Sequence, residues 1–548
     1  MKFVTYEQFG AVGDGITNDF AAIKAAHDYA NENSLPVKAD GEKTYYIGDT
    51  RIDGQVEVAV IRTDVEWGSA KFIVDDTDIG YYDGTDMAKY HIFAVKSDYD
   101  EYKITDPEIL GRLSGIGEGT TKIDLELGYP ALLDIHNKDM RVFRRYGNYG
   151  KNSEVGVDQH EVLLIDGEGN VDPSTPFMFN YEKLTSVDVI RTDIKPITVS
   201  GGIFTTRASR VNAVSETGRT AGYFKRGICI NRSYATLDGV EHYIEGEITT
   251  FEHRDKGLRG PHYYGFFSAE RANLVTLRNC VLTGRRYYRV AGTYDFLATS
   301  VNIIRLEGCR QSNFTIKTED GDTVYSMAIS PVSGTLYHWG IGGTNYCKNM
   351  EYVDCTLSRF DAHAGLYNGK IINCSVNFME LTGKGELLIE NMKWHSAGSN
   401  LFLYLRGDYG STWDGTIKVR NSTIYPAKGD MTLCYHSYVN WDFGYICHFP
   451  NLDFENVKIE GLETGAKVKL LTEERSAGNE PNMHLPETAV VPHNYEDGTT
   501  DMKNFNPIAP PEYIKLDMAD GEKVHLSKLP FFEKTDFTKC TDGTLIFD

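Results

Sequence analysis

NLVTLRNCVLTGRRYYRVAGTYDFLATSVNIIRLEGCRQ, residues 273–311, carries one short pattern twice. VTLRNC (275–280) and IRLEGC (304–309) each read apolar, any, apolar, any, then Asn or Gly, then a small or apolar residue. Alternation at a period of two marks a strand with one face buried. The same pattern recurs upstream as TVSGGIF and TLDGVEH, and downstream as YVDCTL, KIINCSV, LIENMKW, VRNSTI and FENVKI. Its anchors are Gly202, Val240, Cys280, Cys309, Cys355, Cys374, Met392, Ser422 and Val457, spaced 18 to 46 residues apart. The shortest interval is close to one bare turn of a β-solenoid, and the longer ones add a loop. This predicts a parallel β-helix over about 195–460, with coils stacked at roughly 4.8 Å. The anchors then form an inward ladder in which the cysteines act as small hydrophobes.

Outside the repeat there is one long helical signal. From Phe20 the string FAAIKAAHDYANEN puts Phe20, Ile23, Ala26 and Tyr29 at helical spacing, with Asn18 or Asp19 in place to cap it. Residues 1–190 read as this capping helix, the first coils and a β-rich elaboration, with a separate small β domain as the alternative. Residues 191–460 read as the coil stack bearing a groove. Residues 461–548, rich in Pro and charge, read as an irregular C-terminal cap or arm over the open edge.

The 548 residues carry 53 Gly, 34 Tyr and 26 Phe, which suits an all-β chain with many turns. The net charge of −22 makes nucleic acid a poor partner, because phosphates require a basic surface. No run approaches the roughly 18 apolar residues of a membrane span. The N-terminus has no signal-peptide core, which suits a cytoplasmic or phage-borne protein, or one whose export signal lies outside this chain. The 9 Cys form no CxxC pair and no zinc-ligand spacing with His, so no metal site is expected.

The string FGAVGDGITNDFAAIKAAHDYA (9–30) resembles the opening of the pectate-lyase-like superfamily, whose members carry a GAxGDGxxDDxxAIQxA segment. The resemblance implies an all-β, right-handed parallel β-helix with an N-terminal capping helix. It also implies a carbohydrate-active protein: a polygalacturonase-like hydrolase, a polysaccharide lyase, an epimerase or a phage tailspike. Asp14 and Asp19 then serve a turn and a helix cap. The vWiDH and RxPxxR patterns of pectate lyases and the full polygalacturonase motif set are absent.

Counting back from the anchors exposes a column of acids. Asp295, Asp361, Asp408 and Asp442 stand 14, 13, 14 and 15 residues before Cys309, Cys374, Ser422 and Val457. Stacked like charges destabilise a sheet unless neutralised or used. Arg359 and Arg406 lie two residues from Asp361 and Asp408, on the same strand face. His338, His363 and Glu380 fall nearby. Trp339, Trp413 and Trp441 offer rings for sugar faces. Asp is also common at coil corners for its turn hydrogen bonds, which is the plainer explanation. Glu216 and His262 lie in longer loops at the upstream end. The acidic strings 74–86 and 318–323 lack a calcium-loop spacing.

Glycoside hydrolysis needs two carboxyl groups. The column supplies Asp295 and Asp361 as the expected catalytic pair, one of them protonated near neutral pH. His338, Trp339, Arg359, His363, Glu380, Arg406, Asp408 and Asp442 are then expected to bind substrate. A hydrolase of an oligo- or polysaccharide, without cofactor, is the first expectation. The alternatives are a lyase or epimerase on a uronate polymer, with Ca²⁺ on the column, and a non-catalytic glycan-binding fibre. The expected partner is carbohydrate, with a homo-oligomer as a further expectation.

Overall fold

The computed structural model describes residues 3–82, 84–142, 157–214, 222–248, 252, 255–283, 294–312, 344–396, 400–436, 446–471, 490–494, 500–504 and 508–548. They divide into two compact units. One comprises residues 1–100, 191–343 and 354–358, the other residues 101–190, 344–353 and 359–548.

Both units are parallel β-helix. Each strand pairs in parallel with its equivalent one coil before and one coil after, so residues of one type stack in columns. In the first unit Val65, Val199, Leu237, Leu277 and Leu306 are successive Cα partners. In the second, Tyr352, Ile371, Ile389, Val419, Phe454 and Leu516 form the corresponding column. All eleven are buried. Each contributes roughly 1.5–3 kcal/mol of burial free energy. The parallel pairing runs on beyond residue 460, through Val468–Leu471, Val524–Leu526 and Leu545–Phe547. Right-handed connection is the hand that parallel crossovers adopt almost without exception.

The anchor ladder lies inside the coils. Val240, Cys280, Cys309, Cys355, Cys374, Met392, Ser422 and Val457 are all buried. The structure also explains the Asn, Asp or Gly before each anchor. Gly239, Asn279, Gly308, Asp354, Asn373, Asn391, Asn421 and Asn456 all have φ between 48° and 67°. That left-handed conformation is costly for L-residues other than Gly, and least so for Asn and Asp. The side chains stack as well: Asn391 donates to Asn373 at 3.0 Å and Asn456 to Asn421 at 2.9 Å.

At the N-terminus the helix spans Phe20–Asn33 and buries Phe20, Ile23, Ala26, His27 and Ala30, whereas Tyr29 is exposed. Asp14 forms the expected turn, accepting from the Ile16 and Thr17 amides. Asp19 precedes the helix without capping it. Its carboxylate accepts from the amides of Val12, Gly13 and Tyr46, and so ties the glycine-rich turn to the neighbouring strand.

Within residues 101–190 of the second unit lies an antiparallel sheet, ordered Tyr102–Ile104, Ser186–Arg191, Ala131–Val142, Val157–Ile165. One face buries Leu133, Ile135, Leu163, Ile165, Val187 and Val189. Strand alternation therefore turns Asp134, His136, Asp158, His160 and Asp188 to the opposite face.

Candidate functional site

The structure divides the acidic column between the units. Asp295 belongs to the first unit, and Arg359, Asp361, His363, Glu380 and Arg406 to the second. His338, Trp339, Asp442, Trp441, Glu216 and the string 318–323 lie outside the described residues. The backbone of Asp408 lies in the turn Gly407–Tyr409, and its side chain is outside the described set.

Asp295 is locked into a buried chain of hydrogen bonds. One oxygen meets His242 Nδ1 at 2.7 Å and the other accepts from the Thr283 amide. His242 Nε2 reaches the Thr206 hydroxyl at 2.9 Å, and its ring stacks on Phe266 at 3.9 Å. His262 is buried in the same unit. The acids of the string 74–86 are also engaged there: Asp76 pairs with Arg226 at 2.9 Å, and Asp75 with Arg207 at 3.2 Å.

Three successive coils assemble a denser cluster in the second unit. Arg359 and Asp361 end the strand Thr356–Asp361, and Glu380 sits in the strand Ser375–Leu381. Arg406 follows the strand Leu401–Leu405. The coil stack brings them together: the Ala362 amide donates to Glu380 O, and the Arg406 amide to Leu381 O. Arg359 Nη2 lies 2.8 Å from Asp361 and also bonds Glu380. Arg406 Nε reaches Glu380 at 3.2 Å. Phe378 and Tyr409 lie under the two guanidinium groups at 5.7 and 5.1 Å.

Asp361 is 0% exposed, while Glu380 retains 9%. Burial alone would raise the Asp361 pKa; Arg359, His363 and Arg406 outweigh it and hold the carboxyl below its ordinary range. Asp361 is thus ionised at neutral pH. His363 is pushed down by burial and by Arg406. Arg406 hydrogen-bonds His363 Nδ1, and a guanidinium only donates. The imidazole is therefore neutral with its proton on Nε2. Trp413 is buried and donates to Gly385 O, so it packs the coil instead of offering a face to sugar.

Sequence reasoning passed over the polar face of the antiparallel sheet. Asp134-Ile-His136 and Asp158-Gln-His160 are two copies of D-x-H, a signal visible in the sequence. The strands pair so that His136 faces His160. Their rings stack at 4.8 Å, and His160 also meets Tyr346 at 4.2 Å. His136 Nδ1 bonds Asp158 at 2.7 Å, and His160 Nδ1 bonds Asp134 at 3.1 Å. Burial would lower the His136 pKa, but Asp158, Asp134 and Asp188 reverse this and raise it. The hydrogen bond from His136 holds Asp158 down at about 2. An apolar cluster of Met178, Ala364, Tyr367 and Tyr409, with Tyr346 packed against it, joins this face to the Arg406 cluster.

No family model matches the chain, and no curated protein matches it. Among solved structures it is similar to the tailspike protein gp49 of Pseudomonas phage LKA1, at 11% identity and a TM-score of 0.46, over 99% of this chain and 83% of that one. It is also similar to the gp54 tailspike of Acinetobacter baumannii bacteriophage AP22, solved in complex with capsular saccharide. That likeness has 11% identity and a TM-score of 0.44, over 98% of this chain and 79% of the tailspike. A family 28 exopolygalacturonase from Yersinia enterocolitica aligns at 12% identity and a TM-score of 0.29, over 100% of this chain and 77% of that one. The fold itself rests on the strand register described above.

Proposed function

We propose that the chain is a glycoside hydrolase acting on an oligo- or polysaccharide at the Arg359–Arg406 cluster. One observation carries the reading: Glu380 is held by the guanidinium groups of Arg359 and Arg406, the second of which also meets His363 and Tyr409, and it keeps 9% exposure. A carboxylate fixed in that way suits attack on the anomeric carbon or activation of water. His363 offers its Nε2–H to a sugar hydroxyl. Asp361, enclosed and ionised, positions Arg359 and through it Glu380. Asp295, locked to His242, holds its own coil together.

A lyase acting on a uronate fits this cluster less well. It needs a free base and a cation for the uronate carboxylate. Here the Nδ1 lone pair of His363 takes a hydrogen bond from Arg406, and both arginines are occupied by carboxylates. Glycan binding without cleavage is the second reading, favoured by the complete burial of Asp361. Digestion of a glycan library with mass detection tests the proposal. Cleavage by the wild type that falls about 10²–10⁴-fold in Glu380→Gln supports it. Absence of product from every glycan, with binding retained, supports the second reading instead.

A further inference from the structure

The geometry points to a divalent transition-metal site, with Zn²⁺ as the ion, on the polar face of the antiparallel sheet. Its ligands are His136 Nε2, His160 Nδ1 and Asp134 Oδ1. The reactive atoms of Asp134, His136 and His160 all lie within 4.8 Å of one another. The separations from Asp134 are close to those of a coordination polyhedron. Metal–ligand bonds of about 2.0–2.1 Å in a tetrahedron place neighbouring ligand atoms about 3.3–3.4 Å apart. Here Nε2 of His136 is 3.4 Å from Asp134, and Nδ1 of His160 is 3.1 Å from Asp134.

Three further features suit a metal. Nε2 of His136 is buried and makes no hydrogen bond, although two carboxylates face it. Its other nitrogen bonds Asp158 at 2.7 Å, the carboxylate partner that fixes the ring of a metal-bound histidine. Imidazole and carboxylate together are donors for zinc and its neighbours, whereas Ca²⁺ takes oxygen alone. Asp188 is itself held through its other oxygen by Lys103 at 3.1 Å. Three protein ligands hold the ion with a fourth position open, and it ties the strands Ala131–Val142 and Val157–Ile165 together. The site takes no part in the proposed hydrolysis and does not depend on it.

The test is to strip the full chain with chelator, add Zn²⁺, and measure bound metal and thermal midpoint. One Zn²⁺ per chain and a raised midpoint are expected in the wild type. His136→Gln and Asp134→Asn should each weaken binding by about 100-fold, and Asp158→Asn by about 10–100-fold. Co²⁺ in place of Zn²⁺ should give the visible spectrum of a tetrahedral ion. Circular dichroism of each variant checks that it is folded; if His136→Gln is not, Asp158→Asn carries the comparison. Equal Zn²⁺ binding by the wild type and folded variants would overturn the site. So would a wild type that holds well under one ion per chain, the three aspartates then being neutralised by an imidazolium.

Discussion

At the scale of single residues, burial and charge separate groups that look alike in sequence. Asp361 and Glu380 share Arg359, yet Asp361 is wholly enclosed and Glu380 keeps 9% exposure. Removing the Asp361 charge leaves Arg359 with one partner fewer in a buried site, which typically costs about 3–5 kcal/mol. Asp361→Asn should therefore lower the urea midpoint clearly, and Glu380→Gln should lower turnover more than stability. Equilibrium unfolding set beside kcat separates the two, and the reverse ranking would mean their roles are exchanged. The anchor cysteines give a second check. Cys280, Cys309, Cys355 and Cys374 are enclosed, so a thiol reagent should miss them in the native state and reach them after denaturation. Burial also pushes the Cys309 thiol far above its usual range, which removes the reactive thiolate.

At the scale of elements, the coil repeat was legible because each position has a single physical task. The apolar positions alternate inward, and the residue before each anchor must accept positive φ. Asn391→Val, which places a β-branched residue at φ 51°, should cost about 1–2 kcal/mol, and Asn391→Gly far less. Chemical denaturation of both variants checks this; equal losses would mean that the side-chain ladder, not the backbone angle, matters most. The site was only half legible. Spacing from the anchors found Arg359, Asp361, His363, Glu380 and Arg406 because they lie on consecutive coils. It could not show that Asp361 is enclosed, or that Asp295 is committed to His242, because a partner 53 residues away is set by coil stacking. Asp134, His136, Asp158 and His160 escaped because they belong to an antiparallel pair inserted into the coil series, where anchor counting has no meaning. Their signal was the repeated D-x-H, whose significance depends on knowing that the two strands face each other.

At the scale of the whole molecule, buried histidines set the response to acid. Burial holds His27, His91 and His436 down at about 3, so they stay neutral in the folded chain. The unfolded chain protonates them near 6.5. Between those values the unfolded state binds more protons, so stability falls as pH drops from about 6.5 toward 3. The slope is about 1.4 kcal/mol per pH unit for each histidine, opposed by His136, whose pKa is raised. Urea midpoints at pH 7.5 and 5.5 should differ in that direction; a higher midpoint at pH 5.5 would mean these imidazoles reach solvent. The central claim is hydrolysis of a glycan at Glu380, and the most direct measurement is digestion of a cleaved glycan in ¹⁸O-water. The account predicts one ¹⁸O at the new reducing end, no ultraviolet-absorbing unsaturated product, and loss of both cleavage and label in Glu380→Gln. An unlabelled, unsaturated product, or labelled cleavage at the wild-type rate by Glu380→Gln, would contradict it.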